Sequence, residues 1–511
     1  MNSPYIEIMD CTLRDGEQTS GVSFLPHEKL MIARQLLGEV NVDRIEVASA
    51  GVSEGEKKAV SSICRYAEGI GKHDKVEVLG FVDGHRSIDW IRDCGGLTIN
   101  LLAKGSLRHC LHQLKKQPEE HLADILRSLD YADRQGMSVN LYLEDWSNGM
   151  KNSPDYIYQL MDALSDTKIV RYMLPDTLGI MNPLQCIEYL RKMRKRYPHH
   201  HFDFHAHNDY DMAVSNSLAA VLGGCRGLHV TVNGLGERCG NAPLSSVQVI
   251  LKDHFNAQTG INEAQLNAVS RLVEGYAGIA IAPNMPIVGE NVFTQVAGIH
   301  ADGDTKDKLY YNELVPERFG RQREYALGKN SGRANIANNL EALGLELTPE
   351  QIKKVTQRIT ELGDRKELVT PEDLPFIVSD VLKHSVPDHR VKLISYVVNT
   401  SYGLKPGANI KVEINGRPYE AGATGDGQYD AFVKALRHIY KKYLGRTFPR
   451  LANYTVSIPP GGRTDALVQT IITWDTPGKP LRTRGLDADQ TEAAIKATIK
   501  MLNIIENEEN T

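Results

Sequence analysis

His205 and His207 stand two residues apart in FDFHAH (202–207), a short run that reads as a β-strand. Side chains at i and i+2 of a strand share a face. The two imidazoles can therefore bind one divalent cation, with a carboxylate as third ligand. The best-placed carboxylate is Asp15, in the Arg14-Asp15 pair that follows another strand-like run, IEIMD (6–10). Asn241, at the end of NGLGERCGN (233–241), can complete the set directly or through water. An HxH pair also arises by chance, and the His199–His201 run is close by, so the pair gains its weight from Arg14-Asp15 and from the strands around it. Imidazole and carboxylate donors accept Mn, Zn, Mg or Co alike. A guanidinium beside a cation suits an anionic, carbonyl-bearing substrate. A 2-oxo acid chelates through its carboxylate and keto oxygen, the cation acts as a Lewis acid on C2, and Arg14 stabilises the alkoxide that develops. The competing reading of Arg14 is a structural salt bridge.

Such residues meet only if strands bring them together. Eight apolar, β-rich runs occur in the first half: 6–10, 44–49, 76–81, 97–102, 138–143, 169–174, 202–207 and 228–233. Amphipathic segments follow most of them, as at 27–40, 153–165, 182–197 and 210–224. Strands alternating with helical stretches imply parallel βαβ units, and eight units over about 255 residues match a (β/α)8 TIM barrel. A doubly wound sheet would carry a glycine fingerprint after its first strand; here DCTLRDGEQ follows instead. Barrel enzymes place their sites at the C-terminal ends of the strands. Polar clusters fall at five such ends, including Arg14-Asp15, Glu144-Asp145, Asp176-Thr177, His205 to Asp209 and Asn233 to Asn241.

The 511 residues allow two to four domains. The expected division is a catalytic barrel over 1–282, a flexible connector with mostly helical linker subdomains over 283–388, and a C-terminal α+β domain over 389–511 built on a strand-strand-helix duplication. Lys and Arg number 59 against 64 Asp and Glu, with no long run of one sign, which argues against a nucleic-acid partner. No window approaches about 18 uninterrupted apolar residues, so no membrane span is expected. The start Met-Asn-Ser-Pro lacks a secretory signal pattern. Seven scattered cysteines without a CxxC read as unpaired thiols in a reducing, cytoplasmic setting.

DCTLRDGEQ (10–18), FHAHNDYDMAVSNSLAAV (204–221), NGLGERCGN, PIVGENVFTQVAGIHADG (286–303) and LGKNSG (327–332) resemble the acyl-CoA:2-oxo-acid synthases, the family of 2-isopropylmalate, homocitrate and citramalate synthases. Within it, LGFVDG (79–84), NLLAKGS (100–106), NLYLEDWSNG (140–149), GDGQYDAF (425–432) and IPPGGRTDALV (458–468) are most similar to the pyruvate-using citramalate synthases. The resemblance implies acetyl-CoA as cosubstrate, a divalent metal held by Asp15, His205 and His207 with Asn241 close by, and a C-terminal regulatory domain. It implies that Arg14 holds the keto group, Thr177 the substrate carboxylate, and that Glu144 sits by the acetyl methyl. His300 would reach the site from a partner subunit, making a homodimer, with Tyr310 further along the same connector. Isoleucine is the amino-acid effector expected for this branch, with Tyr429, Asp430 and Tyr454 lining its pocket; a dimerisation module without a ligand is the alternative. The chain departs from many relatives at Tyr210-Asp211, where Leu-Gly or Tyr-Gly follows HND. Asp211 near a helix N-terminus is electrostatically tolerated.

The reaction so implied needs a base for the acetyl methyl proton, Glu144 or His300, directly or through a water. Leu79, Leu102 and Tyr142 are expected to point into the mouth and form a short apolar pocket. Tyr142 fills volume that isopropylmalate-type relatives leave to a small Ser, which fits pyruvate and excludes larger oxo acids by hard contact. GGCRG (223–227) and GLGERCG (234–240) are the glycine-rich loops expected at the mouth for coenzyme A phosphates. The alternatives are 2-isopropylmalate synthesis from 2-oxoisovalerate, a carbon–carbon lyase on the same barrel, and a non-catalytic amino-acid sensor.

Overall fold

The computed structural model describes residues 4–305, 309, 312–342, 345–364, 369, 371–382, 390–457, 468–476 and 481–508. Eight parallel strands close into a barrel: β1 (Glu7–Asp10), β2 (Arg44–Ser49), β3 (Val76–Phe81), β4 (Thr98–Lys104), β5 (Ser138–Glu144), β6 (Ile169–Asp176), β7 (Phe202–Ala206) and β8 (Gly227–Val230). The ring is sealed by β1 pairing with β8, Glu7 opposite Gly227 and Asp10 opposite Val230. These runs are apolar because parallel strands are buried on both faces; Ile45, Val47, Val78, Ile99 and Leu141 are all core residues.

Local chemistry starts the helices where the chain must turn. The helices Pro26–Arg34, Pro118–Arg134 and Pro183–Arg196 each open on a proline, whose missing N–H costs nothing in a first turn. The Asn182 side chain accepts from the Gln185 N–H at 3.0 Å while Gln185 returns the bond to Asn182 N at 3.1 Å, a reciprocal cap. The last strand is shorter than its sequence suggests. After Val230 the chain enters a tight turn at Val232–Gly234, with Asn233 left-handed at φ 59°. That turn folds 234–241 back so that Asn241 bridges to His207.

The chain divides into two compact units, Met1–Thr294 with Tyr311–Glu324, and Gln295–Tyr310 with Tyr325–Thr511. Within the second unit, the helices Arg333–Ala342, Pro349–Asp364 and Leu374–Leu382 surround a small core that includes Ile336, Val355, Ile359 and Leu374. The division expected at 388–389 lies outside the described residues. The tail repeats three strands and a helix rather than two strands and a helix. Strands Val391–Asn399, Gly407–Ile414 and Arg417–Thr424 precede helix Gln428–Ile439, and strands Arg450–Ser457, Val468–Asp475 and Leu481–Asp487 precede helix Gln490–Glu508. The overlooked strand LRTRGLD turns Thr483 and Gly485 toward its helix, and a Cβ at Gly485 would run into the Ala493 carbonyl. Close helix approach demanded a glycine there, and glycine erased the apolar alternation. Six of the cysteines are buried free thiols and Cys239 is an exposed one. Among the described residues no helix is long and apolar enough to cross a membrane.

Candidate active site

Asp15, His205 and His207 converge at the C-terminal rim of β1 and β7. Asp15 Oδ2 lies 3.5 Å from His205 Nε2 and 3.8 Å from His207 Nε2, and the two Nε2 atoms are 3.3 Å apart. All three side chains are buried. Metal bonds of about 2.0–2.2 Å at angles near 90–110° set donor atoms roughly 3.0–3.5 Å apart, so the trio spans what one cation needs. Two imidazole nitrogens so close can share at most one proton. Burial pushes the His207 pKa down to about 4, aided by His205, and lowers that of His205 too. Burial works against the Asp15 carboxylate, yet Arg14 and the two imidazoles outweigh it and hold its pKa well below the ordinary range. Neutral imidazoles beside an ionised carboxylate are the protonation states a metal requires. Asn241 Nδ2 donates to Asp15 Oδ2 and to Leu235 O at 3.0 Å, while its buried Oδ1 has no hydrogen-bond partner among the described residues. The donor set therefore fits a divalent cation. A second trio, Cys11, His205 and His229, also lies close, but burial raises the Cys11 thiol pKa well above its usual value and both His229 nitrogens are engaged.

Arg14 faces the same point. Its Nη1 donates to Asp15 Oδ1 at 2.9 Å, Nε to Glu46 Oε2 at 2.5 Å and Nη2 to Tyr142 Oη at 3.4 Å. A guanidinium has five N–H donors, so two remain for a ligand. Glu46 is itself anchored by Asn100 Nδ2 at 2.8 Å, and Asn100 by Asn140 at 2.9 Å. Next to this, Leu79 and Tyr142, with Leu102 at their edge, form an apolar cluster with Met9, Cys11 and Met173, separate from the main core. Registration places Leu102 opposite Tyr142 on neighbouring strands. The three residues expected to size the pocket are thus in one cluster beside Arg14.

Glu144 ends β5 and pairs with the buried Lys104 at the end of β4. The Thr177 Oγ accepts the Asp145 N–H at 2.9 Å, which leaves its hydroxyl proton free to donate. Asp145 holds that geometry with a left-handed φ of 63°. Asp211 is exposed and closes a turn: its N–H donates to Asn208 O at 2.9 Å and its Oδ1 accepts from Asn208 Nδ2 at 3.2 Å, just before helix Ala213–Gly223. GGCRG corrects an expectation. It precedes β8, and parallel strands run from the floor of a barrel to its mouth, so this loop lies at the floor. GLGERCG follows β8 and does lie at the rim; there Arg238 pairs with Asp209 at 2.7 Å and donates to Thr177 O at 2.8 Å.

His300 sits on helix Gly298–Thr305 of the second unit. Tyr310 and most of IPPGGRTDALV lie outside the described residues. In the tail, Tyr429, Asp430 and Tyr454 share a cavity of about 540 Å³ with Gln428, Asp489 and Thr491. The Tyr429 and Tyr454 rings are 5.5 Å apart.

Glu46, Asn100, Lys104, Asp203 and His229 escaped sequence reasoning. Each is a polar residue within an otherwise apolar strand that is buried on both faces, and that mismatch was the available signal.

Residues 5–273, which include this rim, match the HMGL-like family, and the chain belongs to that family. Residues 287–367 match the homocitrate synthase post-HMGL domain-like family and residues 368–506 the LeuA allosteric (dimerisation) domain. Two full-length relatives come from Methanocaldococcus jannaschii. An (R)-citramalate synthase is 34% identical over 98% of this chain and 100% of its own. A 2-isopropylmalate synthase is also 34% identical, over 98% of this chain and 94% of its own. The chain is thus a member of the synthase group that joins an HMGL-like barrel to a LeuA-type tail, and overall identity does not separate the two activities.

Proposed function

We propose that this protein condenses acetyl-CoA with pyruvate to give (R)-citramalate and coenzyme A. The observation that carries the reading is the pairing of two features at one rim: the Asp15, His205 and His207 donor set with Arg14, and the short apolar cluster of Leu79, Leu102 and Tyr142 beside it. A divalent cation held by the donor set supplies Lewis acidity to the 2-oxo group. Arg14 offers its two unused N–H bonds to the oxygen on C2, where negative charge builds. Thr177 offers its hydroxyl proton to the pyruvate carboxylate. Glu144 accepts the proton that leaves the acetyl methyl, with Lys104 holding its carboxylate in place; His300 from a second subunit is the other candidate base. The methyl carbon then bonds to C2, and water cleaves the thioester to release coenzyme A and a 2-hydroxy dicarboxylate. The LeuA-type tail supports an oligomer under allosteric control, and isoleucine in the Tyr429, Asp430 and Tyr454 cavity is the effector we propose.

The equally similar 2-isopropylmalate synthase supplies the second reading, in which 2-oxoisovalerate replaces pyruvate. A methyl group fits beside Tyr142 more readily than an isopropyl group. Thiol release measured with each oxo acid tests this. The expected result is kcat/KM higher for pyruvate by at least about 100-fold, the scale of a hard steric mismatch. A faster reaction with 2-oxoisovalerate overturns the pyruvate assignment.

A further inference from the structure

We propose that His229 is a positioning residue for this condensation, setting Tyr142 and through it both the width of the oxo-acid pocket and the aim of Arg14. The inference rests on the pyruvate reading above. It follows from donor and acceptor accounting in a place without water. His229, Asp203 and Tyr142 are each at most 2% exposed. Asp203 Oδ2 receives Arg44 Nη2 at 2.5 Å and faces His229 Nε2 at 3.1 Å. An ionised carboxylate can only accept, and Arg44 keeps Asp203 ionised. His229 Nε2 therefore carries a proton, and in the neutral ring that leaves Nδ1 as an acceptor. The Tyr142 hydroxyl lies 3.1 Å from that Nδ1 and donates its one proton there. Glu46 Oε2, at 3.5 Å, is the longer and poorer alternative. With its proton committed, Tyr142 Oη offers a lone pair to Arg14 Nη2 at 3.4 Å.

The chain of bonds runs one way, from Arg14 through Tyr142 and His229 to Asp203, and its floor is rigid. Arg44 also binds Glu77 at 3.0 Å and Glu7 at 3.3 Å. Gly227 leaves the room Asp203 occupies, since a Cβ there would collide with the carboxylate. A phenol pinned at its hydroxyl cannot swing aside for a longer oxo acid, and a guanidinium pinned by the phenol keeps its free N–H bonds on C2.

The test uses the full chain and separates orientation from folding by atom placement. His229→Asn sets an amide oxygen near the Nδ1 position and keeps an acceptor for Tyr142. His229→Gln sets an amide near Nε2, keeping the Asp203 bond and losing that acceptor. The expected result is a kcat/KM for pyruvate lowered about tenfold by His229→Gln, the worth of one buried hydrogen bond, with the preference for pyruvate over 2-oxobutyrate narrowed. His229→Asn recovers most of both. Tyr142→Phe shows at least the Gln defect, and adding His229→Gln to it costs nothing further, because His229 acts only through the Tyr142 hydroxyl. Multiplying defects, or a pyruvate preference unmoved in His229→Gln and Tyr142→Phe, overturn the proposal while leaving the pyruvate reading intact. A parent enzyme that releases no thiol from acetyl-CoA with pyruvate overturns that reading and this one with it. If His229→Gln does not fold, the contrast between His229→Asn and Tyr142→Phe decides: equal substrate preferences overturn the proposal.

Discussion

Asp15 divides its two oxygens between two tasks. Oδ1 meets Arg14 and Oδ2 meets the imidazoles, so one carboxylate ties the guanidinium to the cation position. On the proposed mechanism, activation of the keto group and stabilisation of the new alkoxide then depend on a single side chain. The pocket proposed to set specificity is equally local. Leu79 is 6% exposed and packs in the same small cluster as Tyr142, so trimming it opens space directly next to the oxo-acid side chain. Leu79→Ala is predicted to raise kcat/KM for 2-oxobutyrate relative to pyruvate by about tenfold, the value of one or two methylenes in an apolar pocket, read by competing the two acids in a thiol-release assay. An unchanged ratio would remove Leu79 from the pocket.

At the scale of elements, the strand ends work only because helices hold them from outside. Helix Pro118–Arg134 does so through His121, buried against β4: Lys104 N donates to its Nε2 at 3.4 Å, and Tyr156 Oη lies 2.8 Å from its Nδ1. Burial lowers the His121 pKa from its ordinary 6.5 to about 4. The folded state then binds fewer protons than the unfolded chain between those values. Stability from this group is complete above pH 6.5 and is lost as pH falls toward 4, by about 3 kcal/mol over that span. Thermal midpoints of the parent are predicted to fall more steeply from pH 6.5 to 4 than those of His121→Gln; parallel curves would contradict it. The barrel itself was legible because every strand is an apolar run with a helical segment after it, and all eight runs became strands. The meeting of Asp15, His205 and His207 was legible for a related reason: a closed ring of parallel strands brings their C-terminal ends to one rim. What stayed hidden was polar and interior, such as Glu46 and His229, because only the closed ring turns mid-strand residues inward. Helix Arg333–Ala342 turns asparagines inward where a helix ordinarily shows apolar side chains; Asn335 and Asn339 bond backbone carbonyls, among them Tyr325 O at 2.7 Å from Asn339.

For the whole molecule, the barrel and the tail are linked only if the tail's ligand binds two states unequally. Isoleucine added to the full chain is predicted to weaken acetyl-CoA turnover, and Tyr454→Ala to abolish the response by opening the cavity it shares with Tyr429. An isoleucine titration that leaves both the rate and the acetyl-CoA KM unaltered would leave the tail a dimerisation module alone. The central claim lies in the barrel and has a direct test. Enzyme dialysed against a chelator is mixed with acetyl-CoA and pyruvate, and free thiol is followed before and after a divalent cation is restored. The predicted result is no release above background until the cation returns, and no recovery at all in Asp15→Asn. Full-rate release from the stripped enzyme would contradict it.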